Sequence, residues 1–377
     1  MRRGLTSLLL SGLLLFAPGG MTQEKDEEYP PLPIGASAPD FSLPGVDGRT
    51  YSLATFKKDK ILVIIFTCNH CPTAQAYEDR IIQLTRDYTG KGAKIVAVSP
   101  NDPKSVRLDE LGYSDLNDSF TEMKQRAAEK QFNFPYLYDG DTQAMSKAYG
   151  PVATPHVFIF DSNRKLRFRG RIDDVEKPGK TPKYQDTRKA IDELLLDKPV
   201  STETTKVFGC SVKWAAKQDL VARGNQDWAK EPVILEDIDE KGVKALLRND
   251  SKKLRLINIW ATWCGPCLRE FPDFVSIHRM YRRRDFEFIS ICLDNVSNKD
   301  KALEFLRETQ ASEKNYLFNI DDKYALIEAV DPKWEGALPY TVLVEPGGKI
   351  IYAKQNVIDP AKMKKLIVDH PLIGRYY

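Results

Sequence analysis

Two stretches of the chain repeat one pattern of apolar and polar positions. "KILVIIFT" (Lys60 to Thr67) and "LRLINIWATW" (Leu254 to Trp263) are apolar runs with the composition of buried strands. Each leads into a segment with helical spacing, carried by Tyr77, Ile81, Leu84 and Tyr88 in the first copy and by Phe271, Phe274, Ile277 and Tyr281 in the second. A second strand-like run follows in both, "AKIVAVSPND" and then "FEFISICLDN". Further on, "TPHVFIFDSNRKLRFRGRIDD" from Thr154 and "LPYTVLVEPGGKIIYAKQNVID" from Leu338 both read as proline, strand, turn, strand. Pro155 lies 87 residues after Cys68 and Pro339 lies 75 after Cys264. The excess in the first copy fits an insertion in the polar segment Asp102 to Ser119. The chain holds one α/β architecture twice, each copy a central mixed sheet flanked by helices.

The 377 residues suffice for two domains of ordinary size. The first copy spans 33–199 and the second 232–377. Between them, 200–231 begins at a Ser/Thr run after Pro199. Its Trp214 and Trp228 predict packing against a neighbour. The net charge of +3, from 56 basic and 53 acidic residues, gives no sign of a nucleic-acid partner. Arg282-Arg283-Arg284 reads as a solvated helix end. At the N-terminus, Met1-Arg2-Arg3, the 13-residue apolar run Leu5 to Ala17 and the small residues after it have the order of a secretory signal peptide, assigned to 1–20. The run is short for a membrane span, so membrane contact is limited to this segment if it is not cleaved. An acidic, Pro-rich lead, 21–32, is expected to be mobile. Export puts the bulk of the chain in the periplasm or another extracytoplasmic space.

Six cysteines then sit where idle thiols tend to pair. Four form two CxxC pairs, Cys68/Cys71 in "TCNHCP" and Cys264/Cys267 in "WCGPC". A cysteine at a helix start feels unpaired N–H groups and the positive dipole end, which favour the nucleophilic thiolate. A second cysteine one turn deeper can resolve the mixed disulfide. Cys264 is thereby the nucleophile and Cys267 the resolving thiol. Pro266 is tolerated in the first turn, and Trp263 would cover one side of the nucleophile. His70 beside Cys71 would, when protonated, stabilise a thiolate and make the first pair the more oxidising. Structural zinc pairs lie roughly 12 to 20 residues apart, far closer than these two, so no metal site is assigned. Nor does any Gly-rich phosphate loop follow a strand, and no bound cofactor is implied.

The order strand, CxxC, helix, strand, helix, proline, strand, strand, helix resembles the thioredoxin fold. Through "TCNHCP", "FPYLYD", "TPHVFIFD" and "FGCSVKW" the first copy looks like the peroxiredoxin-like (AhpC/TSA-redoxin-type) branch of that superfamily. The second resembles the exported TlpA/ResA-like thiol-disulfide oxidoreductases through "LINIWATWCGPCLREFP" and "GALPYTVLVEPGG". The resemblance implies that Pro155 and Pro339 are cis-prolines beside which a substrate backbone pairs. It also implies that Glu270 is a proton acceptor for the resolving thiol, with Asn258 where ordinary thioredoxins carry a buried Asp. It makes the chain a thiol:disulfide oxidoreductase acting on protein thiols and disulfides, with its reductant supplied by a membrane thiol donor. Three alternatives stay open: peroxide reduction at the first copy, with Cys71 in the reactive place; a cuprous-ion site that uses His156; and a non-catalytic module. Cys292 reads as a buried inert thiol. Cys210 either resolves a disulfide with Cys68 or packs silently.

Overall fold

A computed structural model describes residues 29–320 and 322–376. The signal segment 1–20 and residues 21–28 of the lead lie outside the described residues. In the first copy, Ile61–Phe66 is the central strand of five. It pairs in parallel with Ala93–Ser99 and antiparallel with His156–Phe160, and Tyr136–Tyr138 and Leu166–Gly170 complete the edges. In the second, Leu254–Trp260 takes the same central place in a sheet of six. Its neighbours are Phe286–Cys292, parallel, and Tyr340–Val344, antiparallel. Both central strands are buried along their whole length, as their unbroken apolar composition requires.

The helices Pro72–Tyr88 and Gly265–Tyr281 follow these strands, and the residues that marked their apolar faces are all buried. Their starts differ in register. The second helix is capped by Cys264, with Gly265 and Pro266 opening its first turn. The first is capped by Cys71, with Pro72 as its first residue. Proline is accommodated in a first turn because no N–H bond is lost there. In one motif it precedes the second cysteine and in the other it follows it. Cys71, not Cys68, therefore stands where Cys264 stands.

The segment between Asp102 and Ser119 is no bare polar insertion. Val106 and Leu111 enter the core formed by Phe274, Ile277, Met280 and Tyr281 of the second copy. Tyr281 donates its hydroxyl proton to Ser114 O at 2.8 Å. Arg284 donates to Gly112 O at 2.6 Å and stacks 3.7 Å from the Tyr113 ring centroid. Arg283 pairs with Asp109 at 2.8 Å and Arg282 with Glu231. Arg283 and Arg284 thus reach the first copy and Arg282 the connecting segment, which corrects the reading of the run as a merely solvated helix end. The local charge pattern carried no trace of a surface 170 residues away.

Residues 29–32 depart from the mobile lead expected of 21–32. Leu32 N donates to Tyr149 O at 2.9 Å, Arg169 donates to Pro31 O at 2.8 Å, and the Tyr29 ring lies 4.6 Å from that of Trp214. In the connecting segment, Thr205 and Glu203 bond to Arg169 in the first sheet. Trp228 is buried in the second core, and its indole N–H donates to Gln310 O at 3.0 Å. Among the described residues no helix is long and apolar enough to cross a membrane.

Leu111 is 5 % exposed at this junction. Leu111→Ala is expected to lower stability by about 2–4 kcal/mol, the cost of a buried leucine truncation. Urea unfolding checks this. A change below about 1 kcal/mol would mean that the two copies fold without the junction.

Candidate redox centres

The N-terminal centre is a cluster of buried polar groups at the C-terminal end of Ile61–Phe66. Asp118 lies at its base, fully buried. Its carboxylate accepts from Asn69 N at 2.8 Å, His70 N at 3.1 Å, His70 Nδ1 at 2.6 Å and Asn101 Nδ2 at 2.7 Å. Burial opposes its charge, but the His70 ring and these donors hold its pKa below the usual carboxylate range. Burial likewise opposes a charged His70, and the Asp118 carboxylate, aided by the Cys71 thiolate, outweighs it and raises the ring's pKa. His70 is only 1 % exposed, so it acts inside the site and not as a surface group.

The two thiols respond in opposite directions. Burial, the hydrogen bond to Cys71 and the Asp118 charge hold Cys68 well above the ordinary thiol range. For Cys71, burial is outweighed by hydrogen bonds from Cys210 and Cys68, by the His70 charge and by the Ala74 N–H, which together push it well below. Cys71 Sγ accepts from Ala74 N at 3.5 Å and from Cys210 N at 3.3 Å. One contact, Thr154 O at 3.4 Å, favours the protonated form instead. Cys68 Sγ sits 3.1 Å from Thr154 Oγ1. These directions favour a thiolate at the helix cap, a neutral thiol at Cys68 and a charged His70–Asp118 pair.

The C-terminal centre is simpler. Cys264 and Cys267 are joined in a disulfide, with Cys264 6 % exposed at the helix start. Trp263 is 67 % exposed and projects to solvent instead of joining the core. Glu270 stands one turn beyond Cys267 on the same helix. Its carboxylate accepts from Asn258 Nδ2 at 3.3 Å and Ile358 N at 2.9 Å. Burial raises its pKa to about 7 despite these donors, so it exchanges a proton near neutral pH.

Pro155 and Pro339 both follow cis peptide bonds, at Thr154-Pro155 and Leu338-Pro339. Thr154 touches both N-terminal cysteines. His156 does not join this cluster. Its Nδ1 accepts from Val152 N, its ring packs 4.5 Å from Phe158, and burial lowers its pKa to about 3. The copper reading loses its proposed histidine. The ligating atoms of Cys68, His70 and Asp118 do lie within 4.8 Å of one another. Cys292 is buried in its strand. Three participants escaped the sequence reading: Asp118, Asn101 and Thr154. For Asp118 the only local sign was its place in an insertion rich in Asp, Asn and Ser.

Residues 34–169 match the model of the AhpC/TSA family and residues 230–367 that of the Redoxin family. The thiol-disulfide oxidoreductase ResA of Bacillus subtilis is 26 % identical over 118 residues, 31 % of this chain and 60 % of that protein. ResA of Oceanobacillus iheyensis is 28 % identical over 137 residues, 36 % of this chain and 66 % of that protein. The chain thus spans about three-fifths to two-thirds of the length of these curated relatives. A solved structure of an uncharacterized conserved protein from Geobacillus kaustophilus is 38 % identical, covers 48 % of this chain and 92 % of its own, and superposes with a TM-score of 0.43.

Removing the charge that supports Cys71 should move its titration. In a Cys264→Ser/Cys267→Ser background, His70→Ala or Asp118→Asn is expected to raise the Cys71 pKa by about one to three units, read as thiolate absorbance against pH. An unmoved midpoint would mean that the hydrogen bonds from Cys210, Cys68 and the helix N-terminus set it without the ring's charge. At the other centre, Glu270→Gln is expected to slow release of client by Cys267 about a hundredfold and to remove the inflection near pH 7. Because the folded-state pKa of Glu270 is raised from 4.5 to about 7, its contribution to stability is full below pH 4.5 and lost as pH rises through 7. The Gln variant should lack that loss.

Proposed function

We propose that this chain, which carries two tandem thioredoxin-superfamily domains, is an exported thiol-disulfide oxidoreductase that acts on extracytoplasmic client proteins. The observation that carries the reading is the Cys264–Cys267 disulfide at a helix start, with Glu270 poised near neutrality one turn on. The units we take are 33–199 and 232–377, joined by 200–231. Cys264 attacks the client disulfide, Cys267 resolves the mixed disulfide, and Glu270 accepts the resolving thiol's proton. Pro339 borders the place where the client backbone lies, and Pro266 and Trp263 flank the nucleophile. Reducing equivalents come from a membrane thiol donor, and no bound cofactor takes part.

The N-terminal centre works in the oxidising sense. A thiolate as stabilised as that of Cys71 is a good leaving group, so its disulfide is readily reduced. Electrons then run downhill from Cys264/Cys267 to Cys68/Cys71 wherever the two centres exchange them. One observation favours a second reading, peroxide reduction: Cys71 is a helix-capping thiolate within the segment that matches the AhpC/TSA family. Its sulfur is surrounded by Cys68 and Cys210, which favours disulfide exchange over peroxide capture.

Glutathione titration of the mature protein, Cys68→Ser and Cys264→Ser separates these cases. The expected result is two potentials, the Cys68/Cys71 pair higher by tens of millivolts, where about 30 mV is a tenfold change in the exchange constant. Insulin-disulfide reduction with dithiothreitol should be lost in Cys264→Ser. Equal potentials, or the opposite order, would sink the downhill direction. Steady hydrogen-peroxide consumption that requires Cys71 would put the second reading first.

A further inference from the structure

The edge beside the N-terminal centre is already occupied. Ala153–Thr154, the two residues before Pro155, pair antiparallel with Cys210–Ser211, so that Thr154 faces Cys210 and Ala153 faces Ser211. This is the β-addition by which an extended peptide binds a free edge, carried out here by the chain's own connecting segment. The C-terminal centre contrasts with it. Among the described residues no strand pairs with the corresponding residues before Pro339.

The docked segment is held from both sides. Gly209 has φ +140°, and a Cβ there would stand 2.0 Å from Thr154 O, so only glycine lets the backbone approach the edge this closely. Beyond Cys210, Lys213 N donates to Asn101 Oδ1 at 2.9 Å, Gln143 Nε2 donates to Lys213 O at 2.9 Å, and Ala215 N donates to Gln143 Oε1 at 2.8 Å. Asn101 is also the residue that binds Asp118, so the anchor and the redox cluster share a side chain. Cys210 consequently packs against Cys68 and Cys71, which are both buried, while it is itself half-buried. It lines, with His70, Pro72, Tyr113 and Lys213, a cleft of about 310 Å³. Of the three thiols it is the one that borders the cleft.

We infer that Cys210 is a third redox-active cysteine, an internal substrate that carries disulfide exchange between the buried Cys68/Cys71 pair and a client thiol in the cleft. Starting from a Cys68–Cys71 disulfide, Cys210 loses its proton and its sulfur attacks Cys71. The Cys71–Cys210 bond forms, the Cys68–Cys71 bond breaks, and Cys68 leaves with the electron pair and takes up the proton. This step is an isomerisation and needs no outside oxidant. A client thiolate then attacks Cys210 from the cleft, and Cys71 leaves as the thiolate that its surroundings favour. A second client thiol closes the client disulfide and returns Cys210 to its thiol. Two electrons have passed from client to protein, and the reverse sequence reduces a client disulfide. The inference rests on the reading of Cys71 as a reactive thiol.

The test uses the full mature chain carrying Cys264→Ser, Cys267→Ser and Cys68→Ser, treated with oxidised glutathione and mapped as non-reduced peptides. The expected product is a peptide pair joined through Cys71 and Cys210, with glutathione released. Adding Gly209→Ala should lower the yield of that pair by about tenfold to a hundredfold, as expected when reacting atoms are displaced by about an ångström, with Cys71 still open to modification. If Cys71 and Cys210 are modified separately and never joined, the inference falls while the reactivity of Cys71 stands. If Cys71 proves inert in the folded protein, both fall together.

Discussion

The buried contact between His70 and Asp118 is the constraint on which the rest of the N-terminal centre depends. An ionised pair with almost no solvent around it survives only where its remaining hydrogen-bonding capacity is met, and Asp118 accepts four bonds. Two of them come from the backbone of Asn69 and His70, so the carboxylate shapes the turn between the cysteines as well as charging the ring. That turn sets Cys71, and not Cys68, as the cap of the helix. The same segment that supplies Asp118 reaches the second copy a few residues earlier, through Val106, Leu111 and Ser114. One inserted stretch therefore tunes a redox centre and joins two domains. A mutation at the junction can move Asp118, and through it the charge beside Cys71.

The two centres answer one chemical problem with different means. The C-terminal pair relies on a helix start and a carboxyl whose pKa of about 7 arises from burial. The N-terminal pair relies on an ion pair that gives its two sulfurs opposite preferences, Cys71 for the charged form and Cys68 for the neutral one. Such a polarised pair has a built-in direction: Cys71 is the preferred leaving group once it is bonded to a partner other than Cys68, and Cys68 leaves only by taking up a proton.

What was legible in the sequence was what local periodicity encodes. Strands read as unbroken apolar runs, helices as the 3.6-residue spacing of Tyr77, Ile81, Leu84 and Tyr88, and the duplication as their recurrence with prolines at matching places. The cysteines were visible because CxxC after a strand has few other uses. Contacts distant in sequence were not legible. Asp118 meets His70 from 48 residues away, and nothing near either residue signals the other. Arg282 to Arg284 looked solvated because a helix end rich in cations is stable on its own terms. The register of the first motif rests on one local feature: only the position of proline, after the second cysteine in one copy and before it in the other, distinguishes the two caps.

The asymmetry between covered and open edges bears on how one chain can hold two thiol centres without their reacting alike. An open edge beside a disulfide admits any extended client, and the exposed Trp263 adds an apolar contact at its rim. A covered edge admits a client only through what covers it. At the N-terminal centre the cover is a two-residue strand that begins with a cysteine, fixed by a glycine on one side and by Asn101 and Gln143 on the other. What opens beside that cover is the cleft of about 310 Å³ bordered by Cys210. An open face and a self-occupied face thus coexist on one fold, separated by whether the connecting chain lies on the edge.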